Sequence, residues 1–304
     1  MNNVTLKQMR YFEALARHRH FGRAADVCAI SQPALSMQIK DLEETLGAAL
    51  FERQARQLGL TGLGEDFLIR VQSILQAVDE LSDLARASTD LMAGRLRFGV
   101  IPTIAPYMLP AVIRRLSDGH PELDIHIRES LTPTLLRELS EGRLDAALVA
   151  LPVSEQSLTE IALFSEDFVL VRPAEDADKP VPDGDTLREM RLLLLEEGHC
   201  FRDQALAFCN QRQMRPRELL DGSSLTTLVQ MVGAGLGVTL IPAMAVDIEA
   251  RAAGVAIAQF ASPAPARTIG MIWRRTSPLA RQFSQIAQIV RQTAQSLNCR
   301  LHDI

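Results

Sequence analysis

The chain has 304 residues, of which 47% are hydrophobic and 23% charged, with a formal net charge of −5 at pH 7. That length suits two or three domains with real cores. Four cysteines without a secretory signal exclude a disulfide scaffold, and without a CxxC or Cys/His cluster they give no metal-ligand spacing. Met1 to Thr5 lead straight into an amphipathic pattern rather than a targeting segment. One uncharged stretch, Leu228 to Val246, is broken by Gly233, Gly235, Gly237 and Pro242, so it reads as helix, turn and strand rather than a membrane span. A soluble, cytoplasmic protein is expected, with no membrane partner, no cofactor and no metal.

Residues 1–62 carry +2 and the remainder −7, a modest asymmetry that is weak evidence for nucleic-acid binding by itself. Thr5 and Gln8 form a capping box opening a helix to about Arg17, with Leu6, Met9, Phe12 and Leu15 on one face. A second helix runs from Gly22 to about Cys28, where Ala24 and Ala25 permit close packing. After the turn Ala29-Ile30-Ser31 a third helix begins, Pro33 being tolerated in its first turn. Its apolar stripe is Leu35, Ile39, Leu42 and Leu46, and Gln32, Pro33, Ser36, Met37 and Lys40 lie opposite. Two short helices joined by a tight turn, the second presenting Gln, Ser and Lys outward, match the helix-turn-helix design. Gln32 is suited to an adenine edge, Ser36 to base or phosphate, and Lys40, Arg53 and Arg56 to phosphate. Phe51 to Thr61 would form a wing. A small helical bundle with a solvated face is the bland alternative.

The motifs Phe21-Gly22-Arg23-Ala24-Ala25, Ser31-Gln32-Pro33-Ala34-Leu35-Ser36, Ile39-Lys40-Asp41-Leu42-Glu43 and Leu50-Phe51-Glu52-Arg53 follow in that order and spacing. With them the chain resembles the winged helix-turn-helix of LysR-type transcriptional regulators, and the resemblance extends over the full length. It implies double-stranded promoter DNA as partner. The expected domains are a winged helix-turn-helix over residues 4–62, a linker and dimerisation helix over 63–93, and an α/β effector domain over 94–304.

From Glu65 to about Met92 there is no Pro or Gly, and Leu68, Val71, Leu75, Val78 and Leu81 recur in steps of three and four, thickened by Ile74 and Leu84. Such a seam needs a partner, and a coiled-coil-like dimer would place two DNA-reading heads on two half-sites. Packing onto its own chain is the other possibility. Gly94 would end the helix.

Beyond it, strand-like runs alternate with helical stretches: Leu96 to Val100, Leu123 to Ile127, Ala146 to Val149, Phe168 to Val171, Leu192 to Leu195, Val238 to Ile241 and Ile269 to Trp273. The alternation predicts α/β architecture with mostly parallel sheets. It also resembles the periplasmic-binding-protein-like effector domain of the LysR family, with lobe I at about 94–166 and 268–304 and lobe II at about 167–267. Ligands in such folds gather beyond the carboxyl ends of strands, so Thr103, Thr132 and Cys200 could approach one crevice.

Cys200 and Cys209 stand nine positions apart, the first in Gly198-His199-Cys200-Phe201-Arg202-Asp203. Cys200 would follow a buried strand and sit near a helix N-terminus beside His199 and Arg202, features that favour the reactive thiolate. With residues 203–209 helical, Cys209 is displaced by roughly 10 Å or more at ~1.5 Å per residue. A disulfide needs Cα atoms within about 7 Å. The two thiols could then bond only after the helix unwinds; two unrelated, buried cysteines are the alternative.

This element, with Ile101-Pro102-Thr103, resembles the hydrogen-peroxide-responsive members of the LysR family. The resemblance implies Cys200 as peroxidatic and Cys209 as resolving thiol, a peroxide pocket shaped by Thr103, Thr132, His199, Arg202 and Asp203, a homodimer or homotetramer, RNA polymerase as the contacted machinery, and a glutaredoxin- or thioredoxin-type reductant. The chain departs from relatives at Pro133, where a histidine can stand. A regulator sensing a small organic anion between the lobes, a thiol peroxidase and a metal-responsive dithiol repressor are the rivals. Cys28 and Cys299 receive no role.

Overall fold

The computed structural model describes residues 4–54, 57–87, 92–183, 186–187, 190–208, 221–251, 253–297 and 300–301. It divides into two compact units, residues 1–85 and 86–304.

In the first unit, helix α1 (Leu6–His18) opens on a capping box. The Thr5 hydroxyl accepts from the Gln8 N–H at 3.2 Å, and the Gln8 side chain accepts from the Thr5 N–H at 3.1 Å. Helix α2 (Phe21–Val27) is capped by His20, whose Nδ1 accepts from the Arg23 N–H. Helix α3 (Gln32–Leu46) is capped by Ser31, holds Pro33 in its first turn and ends at Gly47 in the left-handed region. Phe12, Leu15, Leu35, Leu42 and Leu50 close the core without exposure. The Glu43 carboxylate accepts from the N–H groups of Leu50 and Phe51 at 2.7 and 3.0 Å, fixing the entry to an antiparallel hairpin of β1 (Phe51–Gln54) and β2 (Gln57–Leu60).

The long helix α4 (Gly62–Ala87) does not simply project from this head. Val71 and Leu75 are buried in the head's own core, with Phe67 and Leu68 packed beside them, while Leu63, Ile69, Ile74, Leu81 and Leu84 stay exposed. The expected single seam is therefore two faces, one spent on the head and one open. Gly64 allows the helix to start there, since a Cβ on it would stand 2.1 Å from the Leu50 carbonyl oxygen.

In the second unit, β3 (Gly94–Val100), β4 (Leu123–Glu129) and β5 (Ala146–Leu151) are mutually parallel through β3, with α5 (Ala105–Gly119) and α6 (Thr132–Ser140) in the crossovers. The expectation of mostly parallel sheets does not survive beyond them. The 16-residue strand β6 (Leu158–Pro173) runs antiparallel to β9 (Thr239–Pro242), β10 (Val255–Gln259), β11 (Ala266–Arg274) and β12 (Arg300–Leu301), and β11 is antiparallel to β5. The reason is connectivity: the chain leaves one core along β6 and returns along β11, and a strand and its return beside it are antiparallel. Two cores result. One gathers Phe98, Leu148, Phe164, Met271 and Phe283, and the other Phe168, Leu170, Leu193, Phe201 and Leu240, so the division falls within β6.

Of the expected strand Leu192 to Leu195, only β7 (Leu194–Leu195) pairs, in parallel with the two-residue β8 (Asp221–Gly222), while Leu192 bridges Val238. Helix α7 (Cys200–Phe208) follows β7; α8 (Leu225–Gly233), α9 (Val246–Glu249) and α10 (Ala280–Gln295) complete the unit. Among the described residues, no helix is long and apolar enough to cross a membrane.

Candidate functional site

The carboxyl ends of β3, β4, β7 and β8 surround a cavity of about 310 Å³. Thr103, Pro106 and Tyr107 enter it from the start of α5, Ser130 and Leu131 from the start of α6, His199 from the start of α7, and Ser224 and Leu225 from the start of α8. Helices that follow parallel strands begin at the strands' carboxyl ends, which is why their first turns converge here.

Thr103 and His199 thus share one cavity, and Thr132 and Cys200 each sit one residue from its lining. Cys200 is the first residue of α7. It is partly buried and packs against the lobe I core, although its own helix belongs to lobe II. Gly198 sets this up. Its φ of 95° turns the chain sharply into the helix, and a side chain there would meet Leu131 at 3.1 Å. Thr132 opens α6, and its buried Oγ1 is without a hydrogen-bond partner among the described residues. The departure at Pro133 costs the helix nothing, because the missing N–H falls in the first turn, where no intrahelical acceptor exists.

The flanking charges differ from expectation. Burial lowers the His199 pKa, opposed by nearby Glu196, so the imidazole is neutral at pH 7 and lends no positive charge to its neighbour. Arg202 aims back instead of into the cavity, donating from Nη1 to the Leu195 carbonyl at 2.7 Å. Asp203 lies exposed in the first turn of α7. Cys209 and Cys299 lie outside the described residues.

Four buried residues complete the site that sequence reasoning left out. Arg267 donates from Nε to Glu166 at 2.9 Å, and from Nη1 and Nη2 to the hydroxyl and carbonyl oxygens of Thr103 at 2.7 and 2.9 Å. Its guanidinium carbon stands 5.5 Å from the Phe201 ring centroid, next in chain to Cys200. Burial pushes the Glu166 carboxyl up, while Arg267 and the Met244 N–H pull it down. Across the cavity, Tyr107 of α5 donates to the Glu249 carboxylate of α9 at 2.6 Å, and burial and that carboxylate hold the phenol well above its ordinary range. Tyr107 packs in the lobe II core, the reciprocal of Cys200 on lobe I. The available signal was slight: a single arginine heading the apolar strand Thr268 to Trp273.

In the first unit, Gln32, Pro33, Ser36, Met37 and Lys40 all lie exposed on α3, with Lys40 3.4 Å from Glu44. Arg53 lies on β1, and Arg56 lies outside the described residues.

Residues 6–65 match the bacterial regulatory helix-turn-helix protein, lysR family, and residues 89–295 the LysR substrate binding domain. The chain belongs to the LysR family. Within that family it is 42% identical over 302 residues to a probable hydrogen peroxide-inducible genes activator of Streptomyces viridosporus, covering 98% of this chain and 96% of that one. It is 39% identical over 294 residues to the DNA-binding transcriptional dual regulator OxyR of Escherichia coli K12, covering 95% of each. A solved structure of Corynebacterium glutamicum OxyR, a cysteine-to-serine variant with hydrogen peroxide bound, matches with a TM-score of 0.67 at 36% identity, covering 97% of this chain and 94% of that one. The LysR helix-turn-helix match spans α1 to the start of α4, so the exposed face of α3 belongs to its DNA-binding module.

Proposed function

We propose that the chain is a transcription regulator that binds promoter DNA through α3 and the wing and senses hydrogen peroxide through a reversible Cys200–Cys209 disulfide, activating antioxidant genes. The observation that carries this reading is the placement of Cys200: it begins a nine-residue helix and packs against the opposite lobe beside a polar cavity. The kinship to hydrogen peroxide-inducible activators supports it. The Cys200 thiolate attacks peroxide, the O–O bond breaks, and the sulfenic acid then condenses with Cys209, releasing water. Because α7 separates the two thiols, bond formation requires the helix to unwind, which withdraws Cys200 from lobe I. That loss of packing is the conformational signal. The active species is a homodimer or homotetramer in the cytosol, with the exposed face of α4 available for pairing; it contacts RNA polymerase when oxidised, and a glutaredoxin- or thioredoxin-type reductant resets it.

Peroxide treatment of the reduced protein followed by peptide mass mapping is expected to yield a Cys200–Cys209 bond, and Cys200→Ser to abolish the peroxide-dependent change in DNA binding. Absence of that bond in the wild type, or an unchanged response in Cys200→Ser, overturns the reading.

The cavity volume, far larger than peroxide, favours a second reading in which a small organic anion binds between the lobes. Among the described residues, the lining includes Glu129 and Glu249 and no lysine or arginine, which weighs against an anion. A reversible ligand that shifts DNA affinity in the Cys200→Ser, Cys209→Ser protein is its test.

A further inference from the structure

Beneath the cavity lies a buried polar chain that the peroxide reading does not itself employ. Glu166 and Arg267 face one another across β6 and β11, with side chains 1% and 0% exposed. The Arg267 fork reaches three oxygens: Glu166 Oε2, Thr103 Oγ1 and the Thr103 carbonyl. The other carboxylate oxygen of Glu166 takes the Met244 N–H at 3.1 Å. Each end of the chain is thus pinned to backbone.

A threonine hydroxyl has one proton and two lone pairs, whereas a guanidinium only donates. Since Arg267 supplies the proton in its bond to Oγ1, the proton of Thr103 itself has to point elsewhere. Arg267 is the one hydrogen-bond partner of Oγ1 among the described residues, and Thr103 lines the cavity. We propose that Glu166 is a positioning residue for peroxide reduction: by holding Arg267 against Thr103, it fixes the Thr103 hydroxyl as a donor toward peroxide bound beside Cys200. This rests on the peroxide reading. In that reaction the Cys200 thiolate forms a bond to one peroxide oxygen while the O–O bond breaks. Sulfur is oxidised by two electrons to the sulfenic acid, and the departing oxygen leaves as hydroxide, which a solvent acid then neutralises to water. Negative charge grows on the departing oxygen, where a prearranged hydroxyl, polarised by the adjacent guanidinium, is most effective.

An ion pair that merely staples β6 to β11 would affect every reaction of Cys200 alike. Two rates separate the cases in the reduced full-length protein: oxidation by hydrogen peroxide and alkylation by iodoacetamide, which needs an accessible thiolate and no donor to a leaving oxygen. Glu166→Gln retains an acceptor for Met244 and is expected to slow peroxide oxidation about tenfold, the value of one hydrogen bond, with alkylation changed less than about threefold. Thr103→Val should show the same selective loss, Thr103→Ser should not, and the Glu166→Gln, Thr103→Val double variant should be no slower than Thr103→Val alone. If Glu166→Gln fails to fold, Arg267→Lys substitutes for it, because one ammonium cannot span Glu166 and both Thr103 oxygens. A wild-type peroxide rate in the pair variants, alkylation falling in step, or fully additive losses overturns the proposal alone. A wild-type protein whose Cys200 reacts no faster than free cysteine overturns the peroxide reading beneath it.

Discussion

The two walls of the cavity are built to different standards. The lobe I wall stands on β3, β4 and β5, strands of six or seven residues continuous with the long sheet, and its central residues Phe98, Val100, Leu148 and Val149 are fully buried. On the lobe II side, α7 hangs from the two-residue pair β7–β8, and its buried residues are Phe201 and Ala205 alone. A nine-residue helix is too short to persist in water without packing. Phe201 supplies most of that packing, edge-on to Phe168 at 4.8 Å and beneath Arg267. The proposed donor, Thr103, thus lies on the stiff side, and the proposed switching element, α7, on the soft side. A covalent switch needs that division, since the peroxide pocket has to be exact before oxidation and one of its walls has to yield afterwards.

The contrast can be broken by two substitutions of similar chemistry. Leu148→Ala, in the middle of β5, is expected to cost the unit about 3 kcal/mol and to lower the melting temperature of the whole effector unit. Ala205→Gly in α7 removes one methyl and adds backbone freedom, a loss of about 1 kcal/mol that should stay local. Amide exchange over Asp203 to Phe208 would quicken about fivefold, disulfide formation would quicken with it, and exchange in β5 would stay at its wild-type rate. Equal global destabilisation by the two variants would show that α7 is as firmly held as β5 and would remove the physical basis of an unwinding switch.

How far this division was legible in the residues follows from the range of the interactions. The head could be read closely because its signals are local: Thr5 with Gln8, Ser31 with Pro33, and Gly47 act within one turn of the chain. Strands buried on both faces, such as Ala146 to Val149, announce themselves as apolar runs. The first half of β6 does not, because Thr159, Glu160, Ser165, Glu166 and Asp167 interrupt it, and so the continuous strand and its antiparallel pairing went unforeseen, although the expected lobe boundaries at about 166 and 267 fall on that pair. The pairs Glu166–Arg267 and Tyr107–Glu249 span 101 and 142 positions. No spacing rule reaches that far; only the folded crossing brings them together. The positive charge expected of His199 failed for a related reason, as its charge state is set by burial that the motif cannot express.

That histidine provides the smallest effect and a check on the softer wall from within. Burial lowers the folded-state pKa of His199 beneath the ordinary imidazole value of about 6.5, so the unfolded chain binds a proton that the folded chain refuses. Stability therefore rises with pH through this window. The contribution of His199 is complete above the unfolded value and is lost as pH falls below it toward the folded value. A melting series from pH 8 to pH 5 in the wild type and in His199→Asn, which keeps a polar side chain without a titrating ring, isolates this contribution. The wild type is expected to lose slightly more stability on acidification than the variant, and the two curves to converge above about pH 7.5. The difference is small because His199 is only half buried and solvent screens the cost of its charge. Parallel curves would mean that α7 already opens enough at rest to hydrate the imidazole. The lobe II wall would then be looser than its packing against lobe I implies.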